Sequence, residues 1–171
     1  MITLNGTWQM NCKGEDSWQE GQVPGTVYTD LLRNGQMKDP YVGENEDEVR
    51  DLSYNDYTYR RTFEVEKKTL QNTKNVLVCE GLDTLADVYL NGTHMGNCEN
   101  MHRTYRFDVT ELLKAGTNEI VVELHSPLKY MEEQYEKRPL WGVSSTVPGY
   151  QHIRKAHCMF GWDWGPKLPD L

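Results

Sequence analysis

The chain has 171 residues, of which 37% are hydrophobic and 26% are charged, a balance typical of a globular domain. Its formal net charge is −8 and its Lys and Arg residues are scattered, which argues against nucleic acid or an anionic membrane as a partner. No apolar run approaches the ~18 residues of a membrane span. Because no signal peptide opens the sequence, we expect a cytoplasmic protein.

The first half of the chain predicts one short helix followed by strands. Thr26 can cap a helix that stops at Asn34-Gly35. Two-residue alternation predicts a strand over residues 57–65, with one buried face and one wet face. The apolar run within residues 75–80 predicts a strand that is covered on both faces.

The second half continues with short strands. Alternation predicts strands over residues 86–90, 105–109 and 119–124, and Asn91-Gly92 is the pair that tolerates positive φ in a tight hairpin. Helical spacing predicts a surface helix near residues 127–137. Many short strands with few helices indicate an all-β domain, a β-sandwich.

The cysteine pattern does not indicate a metal centre. The four cysteines form no C-x-x-C pair, and we expect them all to be reduced thiols: Cys12, Cys79, Cys98 and Cys158. His94 with Cys98, and His157 beside Cys158, lack the paired spacing of structural zinc sites. We therefore expect no metal and no cofactor.

Residues 160–166, here called the tryptophan loop, carry the strongest chemical signal. Two tryptophans flank Asp163, and glycines flank all three residues. A carboxylate accepts hydrogen bonds from two neighbouring hydroxyls, and an indole face covers the apolar side of a sugar ring, so the segment is typical of a saccharide subsite. We expect Arg154 and Lys155 to pair with Asp163 and hold it ionised. The alternative is a turn whose indoles fill the core and whose Asp caps the backbone.

The tryptophan loop, together with Ile153-Arg154-Lys155 before it, resembles the motif near the end of the N-terminal domain of β-mannosidases in family 2 of the glycoside hydrolases. Other segments resemble the same domain in the same order: residues 4–8, 23–27, 81–92 and 116–120. The Asn-Gly hairpin is shared with β-galactosidases and β-glucuronidases. The Trp-Asp-Trp-Gly-Pro sequence is more specific to the mannosidase branch.

This resemblance implies that residues 1–171 are a single sugar-binding jelly-roll domain of the galactose-binding-like type, with short helices in its connections. In the whole enzyme it would pack against a (β/α)₈ barrel that hydrolyses terminal non-reducing β-D-mannose from oligosaccharides with retention. A barrel takes about 200 residues or more, so we expect neither catalytic glutamate here. The Asn45-Glu46 pair, in an expected loop, and the Asn118-Glu119 pair are not candidates, and this fragment alone is not expected to be an enzyme.

The resemblance also assigns substrate-binding roles within the tryptophan loop. Asp163 would accept hydrogen bonds from hydroxyls at the far end of the mannose ring. Trp162 would wall that subsite, and Trp164 would anchor the loop. Two alternatives remain open: a stand-alone carbohydrate-binding, lectin-like module, and an interaction sandwich with no role in sugar binding.

The family has a further strand after the tryptophan motif, whereas this sequence stops at Leu171. We interpret the chain as a fragment of a longer protein. A missing strand would leave a sheet edge unpaired, to be covered by self-association or accompanied by a disordered tail.

Several other side chains are weaker candidates. His125 is expected to be a strand-end residue rather than an acid or base. Tyr130, Tyr135 and Trp141 could line an approach to the site, but packing beneath the predicted helix is the favoured interpretation.

Overall fold

A computed structural model of the chain describes residues 1–142, 147–161 and 163–171. Over these residues the strands are β1 (Gly6–Cys12), β2 (Gln19–Val23), β3 (Tyr57–Val65), β4 (Val76–Cys79), β5 (Leu85–Leu90), β6 (Thr93–Glu99), β7 (Tyr105–Asp108) and β8 (Gly116–Leu124). The α-helices are α1 (Val27–Arg33), α2 (Asn45–Arg50) and α3 (Pro127–Lys137). Among the described residues, no helix is long and apolar enough to cross a membrane.

The strands form two antiparallel sheets. One sheet has six strands in the order β2-β1-β3-β8-β5-β6, and the other pairs β4 with β7. Side chains from both sheets meet in one hydrophobic core, to which the larger sheet contributes Met10, Tyr57, Val88 and Ile120 and the smaller sheet Leu77 and Phe107. The predicted all-β class is confirmed, while the finer jelly-roll assignment stays a prediction.

Two sequence signals produced the local structures expected of them. Strand β3 covers residues 57–65 as predicted, with Tyr57 and Tyr59 on its buried face. At the β5–β6 hairpin Asn91 has φ 50° and Gly92 φ 80°, the positive values that this type of turn requires. The Asn91 side chain also donates to the carbonyl oxygen of Leu112 and to Oδ1 of Asn118, both at 2.8 Å.

Helix α3 creates a second, smaller core. It spans residues 127–137 as predicted, and Ser126 caps it by accepting a hydrogen bond from the backbone N–H of Lys129 at 3.1 Å. Leu128 and Met131 of the helix pack with Leu85 of β5, with Ile153, and with Phe160, the first residue of the tryptophan loop. This small core supports the base of the tryptophan loop.

Two expectations about the elements are wrong. Strand β4 is not covered on both faces, because Val76 and Val78 are 42% and 41% exposed. The Asn45-Glu46 pair does not lie in a loop but begins α2, whose Val49 is buried in the main core.

The end of the chain packs against the start of α1. The carbonyl oxygen of Leu171 accepts a hydrogen bond from the N–H of Val27 at 2.9 Å, and Asp170 accepts one from the N–H of Tyr28 at 2.9 Å. Burial of Asp170 raises the pKa of its carboxyl group. The alternative of a disordered tail is therefore wrong for residues 167–171.

Candidate functional site: the tryptophan loop

The two ends of the tryptophan loop are drawn together by the backbone. Phe160 and Lys167 form an isolated antiparallel bridge, and the Phe160 ring is fully buried in the smaller core. Gly161 follows at φ 90°, where a Cβ atom would lie 3.0 Å from Cγ of Lys167. The positive φ favours glycine here, and a larger residue would also require the Lys167 side chain to shift.

The buried Phe160 ring lies next to other aromatic rings. The ring centroids of Tyr150 and Phe160 lie 6.2 Å apart, and those of Tyr150 and His157 lie 5.4 Å apart in an edge-on arrangement. Such pairs add to the energy of area burial and favour one ring orientation over others. The first residue of the loop is thus part of a packed cluster of aromatic rings.

The side chains described at the tip of the loop are exposed to solvent. Asp163 has φ 51°, a conformation that Asp adopts more readily than most residues, and its side chain is exposed. The Trp164 side chain is fully exposed. The predicted site residue Trp162 lies outside the described residues.

The exposure of Trp164 contradicts the anchoring role that we expected for it. A fully exposed indole packs on nothing within the described part of this domain, so it contributes no core burial here. Exposed large aromatic side chains are typical of surfaces that meet a partner or a ligand. The alternative in which the indole of Trp164 fills the core is excluded.

The expected ion pair between Lys155 and Asp163 is also wrong. Lys155 is fully buried, and its Nζ lies 2.5 Å from Oδ2 of Asp83. Burial lowers the pKa of the Lys155 ammonium, and the neighbouring Asp83 carboxylate opposes this effect. The sequence neighbour of Lys155, Arg154, is exposed. Lys155 thus binds the connection between β4 and β5 rather than the tryptophan loop.

A carboxylate on α2 contacts the residue that follows the loop. Oε1 of Glu46 accepts a hydrogen bond from the backbone N–H of Lys167 at 3.1 Å. We did not predict this contact, because the six-residue helix α2 has no capping side chain and carries a single buried residue, Val49. No periodic signal in the sequence could have placed Glu46 against a residue 121 positions later.

A second polar cluster is centred on Asp87 of β5. Asp87 accepts contacts from His94 at 2.6 Å, from His125 at 2.7 Å and from the amide of Asn97 at 2.7 Å. Burial alone would raise the pKa of Asp87, but the hydrogen bonds from the two imidazoles outweigh it and lower the pKa. His125 therefore stands at a strand end, as expected, and links β8 to β5.

The cysteines and the weaker aromatic candidates have clear positions. All four cysteines are free thiols, as predicted, and burial raises the pKa of Cys98 to about 12. Among the described residues, no group of three His, Cys, Asp or Glu side chains is arranged to hold a metal ion.

Tyr130 packs against the smaller core as expected. Trp141 is 91% exposed, so its predicted packing role is wrong.

Fold and site together define an antiparallel β-sandwich domain that presents an acidic and aromatic loop to its surroundings. The chain belongs to the glycosyl hydrolase 2 galactose-binding domain-like family, whose model matches residues 8–171. Family membership confirms the sequence resemblance to the N-terminal domain of these hydrolases.

Individual relatives agree with this assignment. β-Mannosidase from Capra hircus is 37% identical over 177 residues, covering 98% of this chain and 20% of that protein. The crystal structure of β-D-mannosidase from Dictyoglomus thermophilum is 39% identical with a TM-score of 0.94, covering 99% of this chain and 21% of that chain.

More distant structures share the fold. The exo-chitosanase of Amycolatopsis orientalis superimposes with a TM-score of 0.61 at 20% identity, covering 70% of this chain and 16% of that one. The chain spans 20% of the length of the curated β-mannosidases that it matches, such as those from Capra hircus and Bos taurus.

Proposed function

We propose that this chain is the non-catalytic sugar-binding domain of a β-mannosidase-like retaining glycosidase, and that its tryptophan loop forms part of the substrate pocket. The full-length protein would hydrolyse terminal non-reducing β-D-mannose from oligosaccharides. The observation that carries the loop's role is the outward exposure of Asp163 and Trp164 on a loop with a buried base. The likeness to β-mannosidases over 98% or more of the chain supports the substrate class.

The chemistry of the loop suits a binding role. An ionised Asp163 accepts hydrogen bonds from two vicinal hydroxyls of a pyranose, and charge-assisted bonds of this kind are short and strong. An indole such as that of Trp162 or Trp164 covers the apolar face of the ring. The two carboxylates that break the glycosidic bond would lie elsewhere in the full-length protein, in its barrel domain.

The exposed loop offers only one wall of a pocket. A ligand that contacts one carboxylate and one or two indoles buries little of its surface, so the loop alone gains little against the entropy lost on binding. We therefore expect the 171-residue chain to bind mannosides with millimolar affinity or not at all. A stand-alone lectin-like module, the second candidate, would instead bind them with micromolar affinity.

Isothermal titration calorimetry of the chain with mannobiose separates these two candidates. Undetectable or millimolar binding supports the domain of a larger enzyme, and micromolar binding supports the lectin-like module. The Asp163→Ala chain serves as the matched control, because any specific binding through the loop would be lost in it.

The substrate class is tested on the full-length protein. We expect it to hydrolyse an aryl β-D-mannoside in preference to the matching β-galactoside and β-glucuronide, and NMR of the first product to show the β-anomer, since a retaining mechanism passes through a glycosyl-enzyme intermediate. Preference for a different sugar, or release of the α-anomer, would contradict the proposal.

A further inference from the structure

We propose that Glu46 is a positioning residue for substrate binding: its carboxylate holds the exit of the tryptophan loop so that Asp163 is presented in one orientation. This inference rests on the proposed function of the loop. The observation behind it is the hydrogen bond from the backbone N–H of Lys167 to Oε1 of Glu46, at 3.1 Å.

The loop is held differently at its two ends. At the entry Phe160 is fully buried in the smaller core, so packing fixes the backbone there. At the exit Lys167 is only half-buried, and its backbone N–H is bound by Glu46. The entry is thus fixed by a buried side chain of the loop itself, whereas the exit is held by the backbone bridge to Phe160 and by a carboxylate from another part of the chain.

Helix α2 is itself a firm support for this carboxylate. Val49 lies one helical turn after Glu46, on the same face of the helix, and is 2% exposed in the main core. At the start of the helix the Asn45 side chain donates to the carbonyl oxygen of Asp39 at 2.9 Å. Glu46 therefore connects the loop exit to the main core, while Phe160 connects the loop entry to the smaller core.

The other acidic side chains in and beside α2 pair with basic side chains or face solvent. Asp47 pairs with Arg50 within the helix at 3.0 Å, and Glu48 pairs with Lys38 at 2.5 Å. Glu44 is exposed beside them. Glu46 is the carboxylate of this group that reaches the backbone next to the loop, so the group offers a control residue of the same type.

The consequence is a geometric one. Holding both ends of a short loop limits the positions of the residues between them, and misplacement of a binding group by ~1 Å can cost as much as about 10²-fold in rate. Because Asp163 itself remains in a Glu46 variant, we expect a smaller loss than that caused by removing Asp163.

The test is a double-mutant cycle on the full-length protein with an aryl β-D-mannoside. We expect Asp163→Ala to lower kcat/KM by about 10²-fold and Glu46→Ala by about tenfold. Glu46→Gln keeps an acceptor oxygen and should recover most of the loss. Glu44→Ala, at the exposed residue that directly precedes the helix, should match the unaltered protein.

The decisive readout is the Glu46→Ala change made in the Asp163→Ala background. If Glu46 acts by positioning Asp163, the Glu46→Ala change should lower kcat/KM little further in the Asp163→Ala background, since the effects of coupled residues are non-additive. An equal tenfold loss in both backgrounds, or no loss from Glu46→Ala alone, would overturn the inference and leave the proposed function standing. No loss from Asp163→Ala would instead contradict the proposed role of the loop, and the Glu46 inference with it.

Discussion

The buried ion pair between Lys155 and Asp83 offers a quantitative test of how the chain before the tryptophan loop is held. The Lys155 side chain is completely buried, and the Asp83 side chain is 17% exposed. Removing a partner of a buried pair costs more than the pair itself contributes, because an uncompensated charge is left in a poorly solvated place. The two single substitutions should therefore have unequal effects.

Asp83→Asn leaves the buried ammonium without a counter-charge, and we expect the free energy of unfolding to fall by about 3 kcal/mol. Lys155→Met keeps the aliphatic stem and leaves a carboxylate that water can still reach, so we expect a loss of about 1 kcal/mol. In the double variant no buried ammonium remains. The free energy of unfolding of the double variant should therefore fall by about as much as that of Lys155→Met. This corresponds to a coupling energy between Asp83 and Lys155 of about 2–3 kcal/mol.

Equilibrium urea unfolding of the 171-residue chain, followed by tryptophan fluorescence, measures each value. Lys68→Met is the matched control, because Lys68 pairs with Glu66 at the surface, with side chains 78% and 71% exposed; it should cause no measurable change. Single losses that add in the double variant to within about 0.5 kcal/mol would refute the reasoning.

Two further predictions concern the sheet. Because hydrogen bonds from His94 and His125 lower the pKa of Asp87 in the folded chain, its stabilising contribution is present above the ordinary carboxyl pKa of about 4 and is lost as the pH falls through the lowered value. Urea titrations at several pH values should show the stability difference between the unaltered chain and Asp87→Asn shrinking below about pH 4; a difference that grows there would contradict this. Asn91→Ala removes a side chain that bonds Leu112 and favours positive φ, so urea unfolding should show a loss of about 2–3 kcal/mol, whereas a loss below about 1 kcal/mol would show that the hairpin does not depend on Asn91.

The sequence was most informative where local chemistry alone decides the structure. Strand β3 shows clear alternation because one of its faces is packed and the other is wet, and Asn91-Gly92 marks a hairpin because few residue pairs accept its backbone angles. Strand β4 shows the limit of such signals. A continuous apolar run does not tell which face will be covered, and Val76 and Val78 are partly exposed.

The loop itself was recognised from its residues, but its supports were not. Two tryptophans, an Asp and two glycines form a local pattern that can be found in a single segment. The partners of Lys155 and Lys167 come from 72 and 121 residues earlier in the chain, and no local pattern encodes such distances. Trp164 was expected to anchor the loop, because the sequence does not tell an indole that packs inside its domain from one that faces outward.

The central claim is that Asp163 contacts the sugar that the full-length protein hydrolyses, and one substitution tests it most directly. The test compares kcat/KM of the full-length protein with that of its Asp163→Ala variant on a terminal β-D-mannoside. Asp16→Ala is the control, because Asp16 is also exposed. A lost charge-assisted contact of ~2–3 kcal/mol predicts a fall on the order of 10²-fold for Asp163→Ala and none for Asp16→Ala. An Asp163→Ala value equal to that of the unaltered protein would contradict the claim.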